Sequence, residues 1–291
     1  MKPIKIVLVI TLVFFMSVLV LYTIEEESVG QPNVVQLSKT LYRITFPYSL
    51  RTNTAVSMGK DGFLLVDPGF KQTVPQLRKA LNKLGKGKIK YIINTHPHGD
   101  HRSGNIIAEP ETMVLGMHDA KMMVKKGVFA LGSGPLKGFT GQQFETYYIL
   151  KFNGEEIRFI PTPGTHSASD WLIHFTGSGV VHMGDLLLSQ SFPAVSRKIK
   201  EYFPILEKAI DVFPEKTVFI SGHGKELTKQ GVKDYLNMLY TTAKMVQAGK
   251  KAGKTIEQMK KERILKEYES YNTYLDWLTT DYWIEVVCKF L

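Results

Sequence analysis

The chain has 291 residues, 44% hydrophobic, 22% charged and 11% aromatic. These values exclude a disordered, collagenous or low-complexity protein and suit one large domain or two closely joined halves. Its single cysteine, Cys288, excludes an internal disulfide framework. The net charge of +10 favours anionic surfaces or acidic substrates but says nothing of fold, and nucleic acid is not among the expected partners.

The N-terminus carries Lys2 and Lys5, runs uncharged from Ile6 to Ile24, and then meets Glu25, Glu26 and Glu27. As a helix this run would span about 28 Å, close to the hydrocarbon thickness of a bilayer. It is longer than the apolar core of most secretory signals. Residues 1–30 are therefore expected to be a signal anchor spanning the membrane through 6–24. The alternative is a signal peptide cut near Gly30, since Ser28-Val29-Gly30 offers small residues. With positive residues kept inside, residues 31–291 are expected outside the cytoplasm, tethered or secreted.

Strand-like runs follow at "TLYRITF" and "AVSMGKDGFLLVDPG", the second a hairpin about Lys60-Asp61-Gly62. "TVPQLRKALNKLG" predicts a helix ending at Gly85. "KYIINTH" reads as a short apolar strand, and "TMVLGMH" precedes a helix near Asp119 to Lys126. The glycine-rich stretch 128–145 lacks periodicity and reads as a flap over a site or a surface connection. A second half repeats this grammar, with hairpin turns at Asn153-Gly154 and Gly177-Ser178-Gly179. A helix is predicted around Lys200 to Val212, then a strand in "TVFISGHG".

The tail, about 228–291, reads as helices over 228–249 and 255–268 and an aromatic-rich end. Thr255 and Gln258 fit a capping box. Ile256, Met259, Ile264 and Leu265 fit an apolar stripe, which leaves the lysines of this region on a solvated face. Two successive halves that mix strands with helices suggest sheet packed on sheet with helices outside.

Ligand-type side chains crowd into "THPHGDHRSG", where His96, His98, Asp100 and His101 fall within a few residues. On a strand, His96 and His98 would point to one side, while Asp100 and His101 sit where the chain turns towards a helix. His166, Asp185 and His223 also follow strand-like runs. Neither helix nor sheet packing asks for His-X-His-X-Asp-His, whereas imidazole and carboxylate are the usual ligands of a catalytic zinc. Six or seven such ligands at one sheet edge would hold two metals about 3.5–4 Å apart. His118, His174 and His182 read as structural.

The pieces "THPHGDH", "TPGTHSASD", "HMGD" and "SGHG", in this order, resemble the metallo-β-lactamase-fold hydrolase superfamily, over a region from about Val34 to Lys233. The resemblance implies an α/β fold, an αββα sandwich of two mixed β-sheets flanked by helices, with metals at one sheet edge. It implies His96, His98 and His166 on one metal, Asp100, His101 and His223 on the other, and Asp185 bridging them. Asp67 in "LLVDPG" matches an aspartate that braces the metal-binding loops, or is a plain turn residue. The commonest zinc β-lactamases carry a cysteine where this chain has Asp185, so the pattern looks instead like the thioesterases, lactonases, phosphodiesterases and broad hydrolases of the superfamily.

The expected function is thus a hydrolase with two Zn2+ per chain, iron or manganese being alternatives. It would act on an ester, thioester, lactone, amide or phosphodiester bond of a small molecule, with Asp100 orienting the attacking water and taking up its proton. A mononuclear iron persulfide dioxygenase and a membrane-tethered, non-catalytic metal-binding protein are the two alternatives. The substrate would be shaped by loops such as 128–145 and 186–198. The sequence leaves the oligomeric state open.

Overall fold

The computed structural model describes residues 29–133, 146–162, 164–195, 199–272 and 274–291. The expected anchor, 6–24, lies outside these residues, as does most of the stretch 128–145. Among the described residues no helix is long and apolar enough to cross a membrane.

The first half of the chain lays down one sheet in the order β1 (Asn33–Gln36), β2 (Leu41–Thr45), β3 (Asn53–Gly59), β4 (Gly62–Val66), β5 (Ile89–Ile93), β6 (Met113–Leu115). β1 to β4 form an antiparallel meander whose β3–β4 turn falls at the expected hairpin. Helix α1 (Val74–Leu84) and the short α2 (Gly99–Arg102) then lie in the crossovers that bring in β5 and β6 parallel. Gly85 follows α1 directly, as predicted.

Helix α3 (Ala120–Lys125) leads into the second sheet, made of β7 (Ala130–Ser133), β8 (Thr146–Phe152), β9 (Glu155–Pro161), β10 (Trp171–Phe175), β11 (Val180–His182), β12 (Val218–Ile220) and β13 (Leu227–Thr228). The spatial order runs straight from β13 to β7. Only the β11–β12 pair is parallel, and α4 (Ile199–Val212) makes that crossover. β7 departs from the reading of 128–145 as flap or loop. Its apolar alternation is broken at Gly132, where a Cβ would lie 2.3 Å from the Tyr147 ring, so the aromatic of the paired strand occupies the missing side chain's space.

Three apolar layers follow from strand alternation. Leu64 and Val66 of β4 face Phe159, Trp171, Ile173 and Phe175 of the other sheet and fill the sandwich. Phe63 and Leu65 point the opposite way, onto Val74, Leu77 and Leu81 of α1. On the far side, Leu172, Val181 and Phe219 pack under α4, α5 (Lys229–Lys251) and α7 (Thr280–Phe290). The result is helix on sheet on sheet on helix.

The predicted helix 255–268 is shorter in the structure. α6 (Ile256–Lys261) starts on the expected Thr255–Gln258 capping box, but Arg263 turns the chain at φ +50° and a 3-10 segment, Lys266–Asn272, follows. Met259 and Leu265 are both buried in the same core. Six residues apart, they would lie about 120° from one another on a straight helix at about 100° per residue. That is too far for the single narrow stripe expected from the sequence, and with the turn at Arg263 both enter that core.

Candidate metal centre

All seven predicted site residues gather at one edge of the sandwich, on loops that leave strand ends. The segment after β5 carries His96, His98, Asp100 and His101; the β9–β10 loop carries His166; Asp185 follows β11 and His223 follows β12. β5 stops at Ile93, three residues short of His96, so strand alternation is not what aligns His96 with His98. A bend over 95–97 does so, and α2 then turns Asp100 and His101 inward.

Two groups of four donors result, each with its ligand atoms within 4.8 Å of one another: His96, His98, His166, Asp185, and Asp100, His101, His223, Asp185. In the first, His98 Nδ1 lies 3.1 Å from His96 Nε2 and 2.9 Å from His166 Nε2. In the second, Nε2 of His101 and of His223 are 3.3 Å apart, and Asp100 Oδ2 is 3.3 Å and 3.1 Å from them. Four ligands in a tetrahedron at the zinc–nitrogen distance of about 2.0–2.1 Å stand about 3.3 Å apart, which is the scale of these separations.

Four of the rings are held from behind. His96 Nδ1 meets the Thr95 hydroxyl at 3.0 Å and His101 Nδ1 meets Asp67 Oδ2 at 2.8 Å. His166 Nδ1 meets the Ala194 carbonyl at 3.1 Å and His223 Nδ1 the Leu50 carbonyl at 2.7 Å. Each Nδ1–H donates to its acceptor, so each Nε2 lone pair faces the site. Lone pairs in contact repel unless positive charge lies between them. Asp185 Oδ1 is buried with no hydrogen-bond partner, a condition rare in native proteins and relieved by a cation. The donor set therefore fits a metal pair.

The electrostatics point the same way. Burial lowers His96 to about 3, with His101 adding to the fall. Burial would also lower His101 and His223, but Asp185 leads the carboxylates that lift His101 well above its usual value and His223 to about 9. Burial opposes ionisation of Asp185 and Asp100, yet the neighbouring imidazoles, His101 foremost, hold both well below the usual carboxylate range. The carboxylates thus raise the affinity of the neighbouring imidazoles for positive charge, which marks a cluster suited to a cation.

Asp67 braces the loops. It is fully buried at φ +52° and accepts from the Thr95 N–H at 2.7 Å, the Thr95 hydroxyl at 2.6 Å and His101. The other three described histidines, which the sequence reading sets aside as structural, stand in none of these donor groups. His174 lies within β10 and His118 is exposed on its own turn. His182 donates from Nε2 to the Asn53 carbonyl at 3.1 Å and accepts the Gly184 N–H at 3.1 Å, steadying the Asp185 turn.

Sequence reasoning missed three contributors. Asp170 accepts from the N–H groups of His166 and Ser167 at 3.0 Å and 2.7 Å and from both neighbouring hydroxyls, so it shapes the His166 turn. The Thr-His-Ser-X-X-Asp spacing carries that signal, because an aspartate there can close a turn on its own backbone. Asn53 donates to the Ser221 and Gly224 carbonyls at 2.9 Å and 2.8 Å, tying the first sheet to the His223 loop. Nothing local in the sequence marks it. The third is the segment 275–282. With Leu188 and Val195 of the expected 186–198 loop it walls a cavity of about 380 Å³ whose floor is His98, Asp100, His166, Asp185 and His223.

Two mixed sheets between helices, with paired donor groups at one edge, define an αββα protein built around a metal site. The chain belongs to the metallo-beta-lactamase superfamily, whose profile matches residues 51–223. Among solved structures it is similar to the inverting sec-alkylsulfatase Pisa1 from Pseudomonas sp., with 15% identity over 88% of this chain and a TM-score of 0.62. The chain spans 49% of that protein's length. It is also similar to the metallo-beta-lactamase from Pontibacter korlensis, at 16% identity over 71% of this chain and 98% of that one, with a TM-score of 0.52. A metallo-beta-lactamase family protein from Thermus thermophilus aligns at 19% identity over 73% of this chain and 83% of its own, also at 0.52. At these identities the likeness is one of fold.

Proposed function

We propose that the protein is a hydrolase with two metal ions, zinc expected, that cleaves an ester, thioester, lactone, amide, phosphodiester or related bond in a small molecule. The observation that supports this is the placement of Asp185. Its Oδ2 lies 3.7 Å from His96 Nε2 and 3.5 Å from His166 Nε2, while its Oδ1 lies 3.2 Å from His101 Nε2 and 3.4 Å from His223 Nε2. One carboxylate thus serves both groups, an oxygen to each. In this reading His96, His98, His166 and Asp185 hold one ion and Asp100, His101, His223 and Asp185 the other. When bound, such a pair supplies hydroxide near neutral pH and a Lewis acid for the oxygen that gains charge.

The chain's own residues supply the rest. Asp100 lies on the cavity floor, 14% exposed, where it orients the attacking water and takes up its proton. Asp67, Thr95 and the Ala194 and Leu50 carbonyls fix the tautomers that present four lone pairs. A mononuclear dioxygenase would leave one group of four idle, and a closed structural site would leave no open position; two full groups under an open cavity favour the hydrolase.

We further propose that residues 6–24 keep the enzyme tethered outside the cytoplasm. Val29 is 1% exposed and packs with Ile44 and Phe46, so a cut near Gly30 would remove a core side chain. Cell fractionation tests this: a secreted product starting near Gln31 would overturn it.

The hydrolase is tested by metal analysis of the wild type beside His98→Ala and Asp185→Ala, with a screen of esters, thioesters, lactones, phosphodiesters, sulfates and β-lactams. About two zincs per chain, reduced in both variants, together with turnover of one substrate class, is the expected result. One iron per chain and oxygen uptake with a persulfide would overturn it.

A further inference from the structure

The cavity over the two donor groups is polar at its floor and apolar at its walls. Leu50, Leu188, Val195, Leu275, Trp277 and Leu278 line it above the histidines and aspartates. Much of that wall comes from the segment that enters α7, beyond the family-matched residues 51–223. The segment is fixed in place. Tyr274 donates to the Arg51 carbonyl at 3.2 Å, with the Arg51 guanidinium 5.2 Å over its ring. Leu275 and Leu278 are buried in a small cluster with Leu188, and Asn272 Oδ1 accepts the Thr280 N–H at 2.8 Å.

Trp277 is different. It leaves 54% of its surface exposed at the cavity wall, with Tyr282 edge-on at 6.1 Å. The Tyr282 hydroxyl is already committed to the Val195 carbonyl, so this wall offers little to a polar group. A ligand whose reacting group meets the floor must lay the rest of itself along the wall, where a charged or hydroxylated tail would lose water without gaining partners.

We infer that the segment from Tyr274 to Leu278 is a specificity wall that selects substrates whose non-reacting part is an uncharged alkyl or acyl chain, seated against Trp277. The inference rests on the hydrolase reading for the floor but not on which bond is cleaved. A fatty-acyl ester and an alkyl sulfate present the same apolar chain to the wall and differ only at the floor.

Binding tests the wall separately from turnover. Trp171 and Trp283 are 1% and 0% exposed, so Trp277 is the solvent-facing fluorophore. The zinc-supplemented full chain is titrated with butyrate, octanoate and dodecanoate, by fluorescence for the wild type and by calorimetry for the wild type and Trp277→Ser. The expected result is a blue shift and an affinity that rises with chain length, by up to about fourfold per methylene, with a much shallower rise in Trp277→Ser. Affinity independent of chain length, or an equal rise in the variant, would overturn the wall. Esters and secondary alkyl sulfates bearing the same chains are then offered as substrates. Chain-dependent binding without turnover of either would uphold the wall and exclude these two bonds, while the hydrolase itself falls only if no class in the full screen is turned over; turnover of one identifies the reacting group.

Discussion

Asp67 carries no donor atom into either group of four, yet three of its contacts decide where their atoms point. It fixes the Thr95 backbone and hydroxyl and the His101 ring, and through Thr95 it reaches His96. Asp67→Asn keeps the shape but removes the charge and turns one acceptor into a donor. Partners of this kind are worth about 10–100-fold in metal affinity, so chelator competition should show a loss of that order while the chain stays folded. An unchanged affinity would mean that the loops hold their rings without it. A neighbouring constraint is steric. A Cβ on Gly222 would sit 1.9 Å from Asp185 Oδ1 and 2.9 Å from the Gly184 carbonyl, which no rotamer of Asp185 could accept without leaving its place. Gly222→Ala should therefore keep native circular dichroism but lose bound metal, as read by elemental analysis; retention of a full complement would show that the His223 loop can shift instead.

At the level of the element, β10 shows both what alternation tells and what it conceals. Trp171, Ile173 and Phe175 face the inter-sheet core, while His174 points outward to Phe213, its ring 4.9 Å away. Burial, helped by Arg158, lowers His174 to about 4, and its Nδ1 has no hydrogen-bond partner. The unfolded ring takes up a proton near 6.5, the folded one only near 4, so stability falls as the pH drops through that window and levels off below it. At pH 5 the loss is about 2 kcal/mol. Urea midpoints at pH 7 and pH 5 should diverge less in His174→Phe than in the wild type; equal divergence would remove His174 from the acid limb. Much of the layer pattern was legible in the sequence because alternation and turn residues are local properties. The Thr255 cap and the Lys60-Asp61 hairpin belong to that local class too. The early end of β5, the break at Arg263 and the pairing of β7 were not legible, since each depends on a partner distant in sequence: the site, the core that takes Met259 and Leu265 together, and the Tyr147 ring. The site was readable as a set of residue types in order. Which oxygen of Asp185 meets which imidazole, and the wall supplied from residues 275–282, are products of tertiary folding.

For the whole molecule, the division of the donors matters most. The first sheet supplies His96, His98, Asp100 and His101, and the second supplies His166, Asp185 and His223. An ion bound across that seam favours the folded state alone. At a free concentration a hundred times its dissociation constant, one such ion adds about 2.7 kcal/mol, or about 5–10 °C in Tm for a domain of this size. Chelation should lower Tm by at least that much, and readdition of zinc should restore it; a Tm indifferent to metal would mean that the seam is held by apolar packing alone. The same division has a temporal side. A chain made from its N-terminus exposes the histidine-rich segment well before residues 166, 185 and 223 exist, and at that stage it offers a flexible, promiscuous chelator rather than a site. Discrimination among ions would then be deferred to the moment the sandwich closes, and any ion kept would reflect the supply that surrounds the protein where its second half folds.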